Sequence, residues 1–279
     1  MKTILVTGPA GYIGGRLIPR LLAKGYTVRC LARRPDAESL AGHSWAGSVE
    51  ILKGDVYKNE GLEAALAGTD AAYYLVHSMA DVPGFEKMEE VSALNFAAAA
   101  AAAGCGRIIY LGGLGKDGDP LSRHLISRHR VGEELRSKGS PVTEFRAAII
   151  VGSGSVSFEM IRYLVERLPV IPTNRFLQAR CQPLAVRDAL SYLISCLEKP
   201  ETAGRIIEIG GGYLSPLRGP AAHLRGHTRP EAPVYRSAPL EYGLWQHAGG
   251  ADNPGTEDIR AHAYGESELR SYLQQFRGR

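Results

Sequence analysis

The feature that most constrains this chain is a glycine run, Gly8, Gly11 and Gly14 at Gly-x-x-Gly-x-x-Gly spacing, directly after the apolar segment 4–6. In a strand–turn–helix unit, the first glycine allows a tight turn, the second lets the backbone approach a pyrophosphate, and the third permits close packing. The helix that follows offers N–H groups and a partial positive charge to phosphates. This pattern predicts a dinucleotide-binding turn. The residues predicted to line it are Gly8, Ala10, Gly11, Tyr12, Ile13 and Gly14.

The chain around this turn alternates strand and helix patterns. Short apolar runs without alternation, typical of strands buried on both faces, predict strands at 3–6, 27–32, 50–52, 71–76, 107–111 and 142–151. Helical spacing of apolar residues predicts helices at 12–24, 60–67, 85–103 and 122–137. Strands separated by helices form parallel sheets with helices on both faces. We therefore expect an α/β fold, a doubly wound parallel sheet of the Rossmann type.

The end of the second predicted strand bears on the choice of dinucleotide. An NAD-preferring site places an acidic residue near this point to accept hydrogen bonds from the adenosine ribose. Here no acid stands at 32–34, and the strand ends in Arg33 and Arg34. Guanidinium groups suit a 2′-phosphate, so the pair favours NADP(H) over NAD(H). The alternative is a solvated arginine pair with no ligand.

Composition excludes several other classes. The net charge of +4 is small and the basic residues are dispersed, which argues against nucleic acid as a partner. The four cysteines form no CxxC pair and have no histidine at zinc-ligand spacing, so we expect no metal site. The first apolar run is too short for a signal peptide, and no later run has the length of a membrane span. The expected location is cytoplasmic.

Residues 1–212 resemble the atypical short-chain dehydrogenase/reductase superfamily, near its NmrA-like, NAD(P)H-binding members. The resemblance rests on the segments 7–14, 54–56, 73–78 and 182–188, and on Asn95. It implies that Asp55 and Val56 contact the adenine, and that Val76 and His77 lie beside the ribose and nicotinamide half of the cofactor. From the residues alone, Asp55 is a turn aspartate after Gly54, and His77 is a histidine at the end of a strand.

The resemblance fails at the usual catalytic residues. Catalytic members use Tyr-x-x-x-Lys on the helix after the fifth strand, with a Ser or Thr at the end of that strand. In this chain His124 stands at the tyrosine position, Arg128 at the lysine position, and the strand ends in Gly112 and Gly113. His124 and Arg128 are the candidate catalytic residues: a histidine titrates near neutral pH and can act as acid or base, and Arg128 can hold the cofactor.

The character of the chain changes after residue 212. Val and Ile are frequent before that point, whereas only Val234 and Ile259 follow it. Segments with so few branched apolar residues rarely bury enough surface to offset the entropy of ordering. We therefore predict a cofactor-binding domain at 1–212 with a small, incomplete substrate-side region, and a poorly structured tail at 213–279. The tail is either a frameshifted reading of the family's C-terminal sequence or a natural tail.

Two functions follow from this pattern. The first is an oxidoreductase that moves hydride between NADP(H) and a small carbonyl or hydroxyl compound. The alternative is an NmrA-like regulatory protein that senses the cofactor without turnover and reports its redox state to a protein partner. The residues at positions 112, 124 and 128 favour the sensor, while the segment 182–188 favours the enzyme. The substrate is not readable from the sequence.

Overall fold

A computed structural model describes residues 1–77, 84–115, 121–155, 158–159, 180–211 and 215–216. Its described helices, in chain order, are α1 (Gly14–Ala23), α2 (Glu38–Ala41), α3 (Leu62–Leu66), α4 (Phe85–Ala102), α5 (Arg123–Arg136) and α6 (Val186–Ser195). Its described strands are β1 (Thr3–Thr7), β2 (Thr27–Ala32), β3 (Glu50–Lys53), β4 (Ala71–Tyr74), β5 (Ile108–Gly113), β6 (Val142–Ala147), β7 (Ile150–Val151), β8 (Arg180–Cys181), β9 (Leu184–Ala185), β10 (Ile206–Ile209) and β11 (Ser215–Pro216). The predicted tail lies outside the described residues except for β11.

The main sheet has seven strands in the order β10-β6-β5-β4-β1-β2-β3. The pairings of β1 with β2 and β4, of β2 with β3, and of β4 with β5 are all parallel. This arrangement confirms the predicted Rossmann-type α/β fold. The strand order reverses between β1 and β4, and such a reversal opens a crevice at the carboxyl ends of the strands where ligands bind.

The chain divides into two compact units. The first comprises Met1–Arg146 and Leu190–Ile207, and it holds most of the main sheet. One face of this sheet buries a continuous apolar cluster in which the rings of Tyr74, Phe96 and Tyr110 pack together. Burial of large aromatic side chains on this scale is a main source of folding free energy.

The second unit comprises Ala147–Ala189 and Glu208–Arg279, of which the structure describes only part. Within it β7 pairs with β9 in parallel, and β8 pairs with β11 in antiparallel. A Cβ atom on Gly211 would lie 2.2 Å from the carbonyl oxygen of Pro183, so the chain after β10 needs glycine to pass this segment.

Predicted and observed boundaries differ by a few residues at several elements, and two of these differences have a structural reason. The single strand predicted at 142–151 is two strands, because β6 ends at Ala147 and β7 pairs with β9 in a separate small sheet. The helix predicted from residue 12 begins at Gly14, because the residues before it form a hydrogen-bonded turn. Among the helices that the structure describes, none has the length and apolar character that a bilayer crossing needs.

Candidate functional site

The predicted glycine motif forms a tight turn between β1 and α1, called the glycine turn below (residues 8–14). Gly8 has φ of +67°, a backbone conformation that favours glycine, and its carbonyl oxygen accepts a 3.0 Å hydrogen bond from the Gly11 amide. A Cβ atom on Gly14 would lie 2.3 Å from the same carbonyl oxygen. Gly14 therefore clears the turn itself rather than the helix–strand interface that the sequence suggested.

The turn leads into an open helix terminus. Ile13 is the N-cap of α1, and within the described residues no side chain caps that end and no acidic residue lies in the first turn. Uncapped N–H groups and the positive end of the helix dipole attract phosphate. The exposed Gly11 presents no side chain at this end, so the turn has the shape and charge that a pyrophosphate needs.

A hydroxyl fixes the glycine turn against the neighbouring strand. The buried Thr7 Oγ1 donates to the Tyr73 carbonyl oxygen and accepts from the Leu75 amide, both at 3.0 Å. A Cβ atom on Gly8 would lie 3.1 Å from the Leu75 carbonyl oxygen. The end of β4, where Val76 and His77 follow, is therefore in contact with the turn.

The predicted adenosine-side residues meet at the ends of β2 and β3. Arg33 and Arg34 directly follow β2 and are exposed. Ala32 pairs with Lys53, and the Gly54 amide donates to the Ala32 carbonyl oxygen at 3.0 Å. This pairing brings the loop that carries Asp55 beside the arginine pair.

The loop after β3 is held from both of its sides. Asp55 Oδ1 accepts hydrogen bonds from the Tyr57 amide at 2.8 Å and the Lys58 amide at 3.3 Å, the pattern of an Asx-turn. Asn95 of α4 donates through Nδ2 to the carbonyl oxygens of Val56 and Tyr57, each at 3.0 Å. Val56 is 7% exposed and belongs to the core. Contact of Asp55 and Val56 with adenine stays a prediction.

The remaining candidates lie at the ends of β4 and β5. His77 follows β4, His124 is exposed in the first turn of α5, and Arg128 is buried one turn later. Although the His77 side chain is exposed, desolvation by the surrounding atoms lowers its pKa, and the positive charges of Arg128 and, more weakly, His124 lower it further; a backbone hydrogen bond acts in the opposite direction. The electrostatic effect indicates that these three side chains share one region.

The site residues thus form two groups. The β1–β3 group contains Gly8, Ala10, Gly11, Tyr12, Ile13, Gly14, Arg33, Arg34, Asp55 and Val56. The β4–β5 group contains Val76, His77, His124 and Arg128. The groups meet where Gly8 contacts the end of β4. The catalytic roles of His124 and Arg128 stay predictions.

One residue of this region was missed by sequence reasoning. Glu89 of α4 is 3% exposed and pairs with Arg128. The signal was available, because Glu89 follows Phe85 by four residues and precedes Ala93 by four, so it stands on the buried stripe of the helix. A charged residue on such a stripe calls for a buried partner of opposite charge.

Comparison with known proteins agrees with the fold. The chain belongs to the NmrA-like family, whose model matches residues 1–217. This match confirms the resemblance to NAD(P)-binding atypical short-chain dehydrogenases/reductases. A solved short-chain dehydrogenase/reductase superfamily protein from Agrobacterium tumefaciens with bound NAD has a TM-score of 0.62 and 19% identity, over 79% of this chain and 81% of that one.

Several curated relatives carry reductase names, and two of them match different shares of this chain. Ceramide reductase of Caulobacter vibrioides is 25% identical over 232 residues, which are 80% of this chain and 70% of that protein. Dihydroflavonol 4-reductase of Dianthus caryophyllus is 32% identical over 83 residues, which are 28% of this chain and 23% of that protein. The chain therefore matches less than a quarter of the second relative.

Proposed function

We propose that this protein binds NADP(H) and transfers hydride between the cofactor and a small carbonyl or hydroxyl compound. The observation that carries the proposal is the glycine turn, which opens an uncapped helix beside the exposed Arg33 and Arg34. Relatives named ceramide reductase and dihydroflavonol 4-reductase support reductase chemistry. The partner expected at the open side of the site is a small-molecule substrate.

The preference for NADP(H) rests on the end of β2. Two exposed guanidinium groups stand where an NAD site needs an acceptor for the ribose hydroxyls. They lie beside the Asp55 loop, whose Asp55 Oδ1 is already occupied by two backbone amides. A 2′-phosphate would gain charged hydrogen bonds at this position, and a ribose without phosphate would not.

The β4–β5 group supplies the proton chemistry in this proposal. Bound NADP(H) would give or accept the hydride. His124, exposed in the first turn of α5, gives or takes the proton of the substrate oxygen. The lowered pKa of His77 keeps that ring neutral at neutral pH. Burial lowers the pKa of Arg128 to about 10, so its guanidinium stays charged at neutral pH.

A second function is favoured by the same group of residues. No tyrosine stands at position 124, and β5 ends in Gly112 and Gly113 without a hydroxyl. A protein that keeps the glycine turn and loses these groups binds the cofactor without turnover. It would then report cofactor redox state to a protein partner.

One experiment separates the two functions. NADPH affinity of the full chain is measured by titration, and NADPH oxidation is followed at 340 nm against a panel of aldehydes and quinones. Tight binding with turnover of any panel member supports the oxidoreductase. Tight binding with no turnover across the panel supports the sensor, and absence of NADPH binding contradicts both.

A further inference from the structure

Three exposed cations lie at the carboxyl ends of β2 and β3. Arg33 and Arg34 directly follow β2, and Lys53 is the last residue of β3. Lys53 is the register partner of Ala32, the residue before Arg33. Neighbouring strands of a sheet lie about 4.8 Å apart, so the three side chains start from nearby backbone positions. They are called the basic cluster below.

The side chains of the basic cluster are not fixed by other protein groups. Arg29, on the same strand β2, shows the contrast: its guanidinium donates to the Glu50 carboxylate at 2.7 Å and to three carbonyl oxygens at 2.8–3.4 Å. Within the described residues, no carboxylate or carbonyl oxygen binds the side chains of the basic cluster. A fixed guanidinium selects one ligand geometry, whereas flexible exposed cations respond to charge and adapt to its position.

The strand order puts the basic cluster beside the adenosine ribose of the proposed ligand. β2 lies between β1, which leads into the glycine turn, and β3, which leads into the loop that carries Asp55. A nucleotide with its pyrophosphate at the glycine turn and its adenine at the Asp55 loop would cross the end of β2 with its ribose. The two hydroxyls of this ribose are adjacent, so a phosphate on either hydroxyl would meet the same cations.

Discrimination between the two hydroxyls needs fixed donors for one phosphate position or a repulsive group at the other. The acids closest in sequence to the arginines, Asp36 and Glu38, are exposed and form no ion pair with the basic cluster in the described part of the chain. Asp55 Oδ1 is bound to two amides of its own loop. The basic cluster therefore selects for a phosphate on the ribose and not for the hydroxyl that carries it.

We propose that the nucleotide site also binds adenosine nucleotides with a ribose 3′-phosphate, the group that coenzyme A and its thioesters carry. Such a ligand shares the adenosine, the 5′-pyrophosphate and one ribose phosphate with NADPH, and only the phosphorylated hydroxyl differs. It occupies the site in place of NADPH, so coenzyme A competes with the cofactor and regulates its binding. This inference rests on the proposed function, because both ligands use the glycine turn and the basic cluster.

The test compares nucleotides that differ only in the ribose phosphate. Calorimetric titration of the full chain measures the affinities of 5′-AMP, adenosine 2′,5′-bisphosphate and adenosine 3′,5′-bisphosphate. We expect the two bisphosphates to bind within about fivefold of each other and at least about tenfold more tightly than 5′-AMP, because the ribose phosphate adds charged hydrogen bonds. In competition titrations coenzyme A displaces NADPH, and dephospho-coenzyme A, which lacks the 3′-phosphate, does so at least about tenfold less well.

A variant tests the contribution of β3. Lys53→Met removes an exposed charge and is expected to weaken both bisphosphates about fivefold while 5′-AMP stays within about twofold. The matched control Lys2→Met removes an exposed lysine before β1 and leaves all three affinities within about twofold.

Three results overturn the inference and leave the proposed function standing. They are a preference for the 2′,5′-bisphosphate over the 3′,5′-bisphosphate beyond about fivefold, equal displacement of NADPH by coenzyme A and dephospho-coenzyme A, and unchanged bisphosphate affinities in Lys53→Met. Failure of the unmodified chain to bind NADPH and both bisphosphates contradicts the proposed function itself.

Discussion

The two groups of site residues are built in different ways. The β1–β3 group is shaped by backbone: a positive φ at Gly8, the Gly11 amide on the Gly8 carbonyl oxygen, and the space that Gly14 leaves open. The β4–β5 group is shaped by side chains from distant segments, with Glu89 of α4 against Ser127 and Arg128 of α5. The first group therefore depends on backbone conformation and glycine, and the second depends on particular side chains that tertiary packing brings together.

The difference shows which group depends on backbone conformation and which depends on side chains. A turn made of backbone groups tolerates few changes, because any side chain at its tight positions displaces the carbonyl that closes it. The side chains of the second group depend on one another for space, since a Cβ on Gly113 would lie 3.6 Å from Cγ of Arg128. In the proposed function, cofactor binding depends on the first group and the type of chemistry depends on the second.

The largest expected effect is on the glycine turn. In Gly14→Ala the new Cβ would lie 2.3 Å from the Gly8 carbonyl oxygen, so the turn must open. NADPH affinity falls on the order of 100-fold, the equivalent of two charged hydrogen bonds. The matched control is Gly47→Ala, where a Cβ meets nothing within 4 Å and affinity stays unchanged. Unchanged NADPH affinity in Gly14→Ala would contradict the claim that the β1–β3 group binds the cofactor through its backbone conformation.

The next effect concerns the arginines beside the turn. Arg33→Asp removes one charged donor and adds repulsion, so NADPH affinity falls about tenfold or more while NADH affinity changes little. Lys2→Asp makes the same charge change at the amino end of β1 and leaves both affinities unchanged. Parallel losses for NADPH and NADH would show that Arg33 does not meet the 2′-phosphate.

A smaller effect tests whether α4 serves both groups. Asn95→Ala removes two 3.0 Å hydrogen bonds to the loop that carries Asp55 and Val56. We expect an affinity loss of about fivefold for NADPH and for adenosine 2′,5′-bisphosphate alike, because loss of these hydrogen bonds destabilises the loop by roughly 1 kcal/mol. The exposed neighbour variant Leu94→Ala serves as the control. A loss confined to NADPH would assign Asn95 to the other group.

The smallest effect lies in the β4–β5 group. The positive charge of His124 lowers the pKa of His77, so His124→Ala raises the pKa of His77 towards its ordinary value. Histidine ring NMR signals followed between about pH 4.5 and 8.5 report this change (the interval is roughly two units either side of an ordinary histidine pKa). His43→Ala, which removes a ring stacked on Trp45, leaves the His77 titration in place. An unchanged pKa of His77 in His124→Ala would place the two histidines apart.

Sequence reasoning predicted the parts that depend on local pattern. The glycine turn is read from three residues within one loop, and the parallel sheet from apolar runs separated by helices. The end of β6 was not predictable in this way. Residues 147–151 are apolar throughout, and none of them marks the point where the chain leaves the main sheet. Periodicity alone does not locate a boundary inside such a run.

The buried contact between Glu89 and Ser127 could not be predicted from a local sequence pattern. Glu89 and Ser127 are 38 residues apart in sequence and meet only because α4 and α5 pack side by side. Their partnership depends on tertiary packing, which residue spacing on either helix does not encode. The buried stripe of α4 still gives a warning, because it places Glu89 among apolar residues.

The most direct test of the account is calorimetric titration of the full chain with NADPH and with NADH under identical salt. The glycine turn predicts that both dinucleotides bind, and the arginine pair predicts that NADPH binds at least about tenfold more tightly. Equal affinities would contradict the role of Arg33 and Arg34. Binding of neither dinucleotide would contradict the central claim that the carboxyl end of this sheet is a cofactor site.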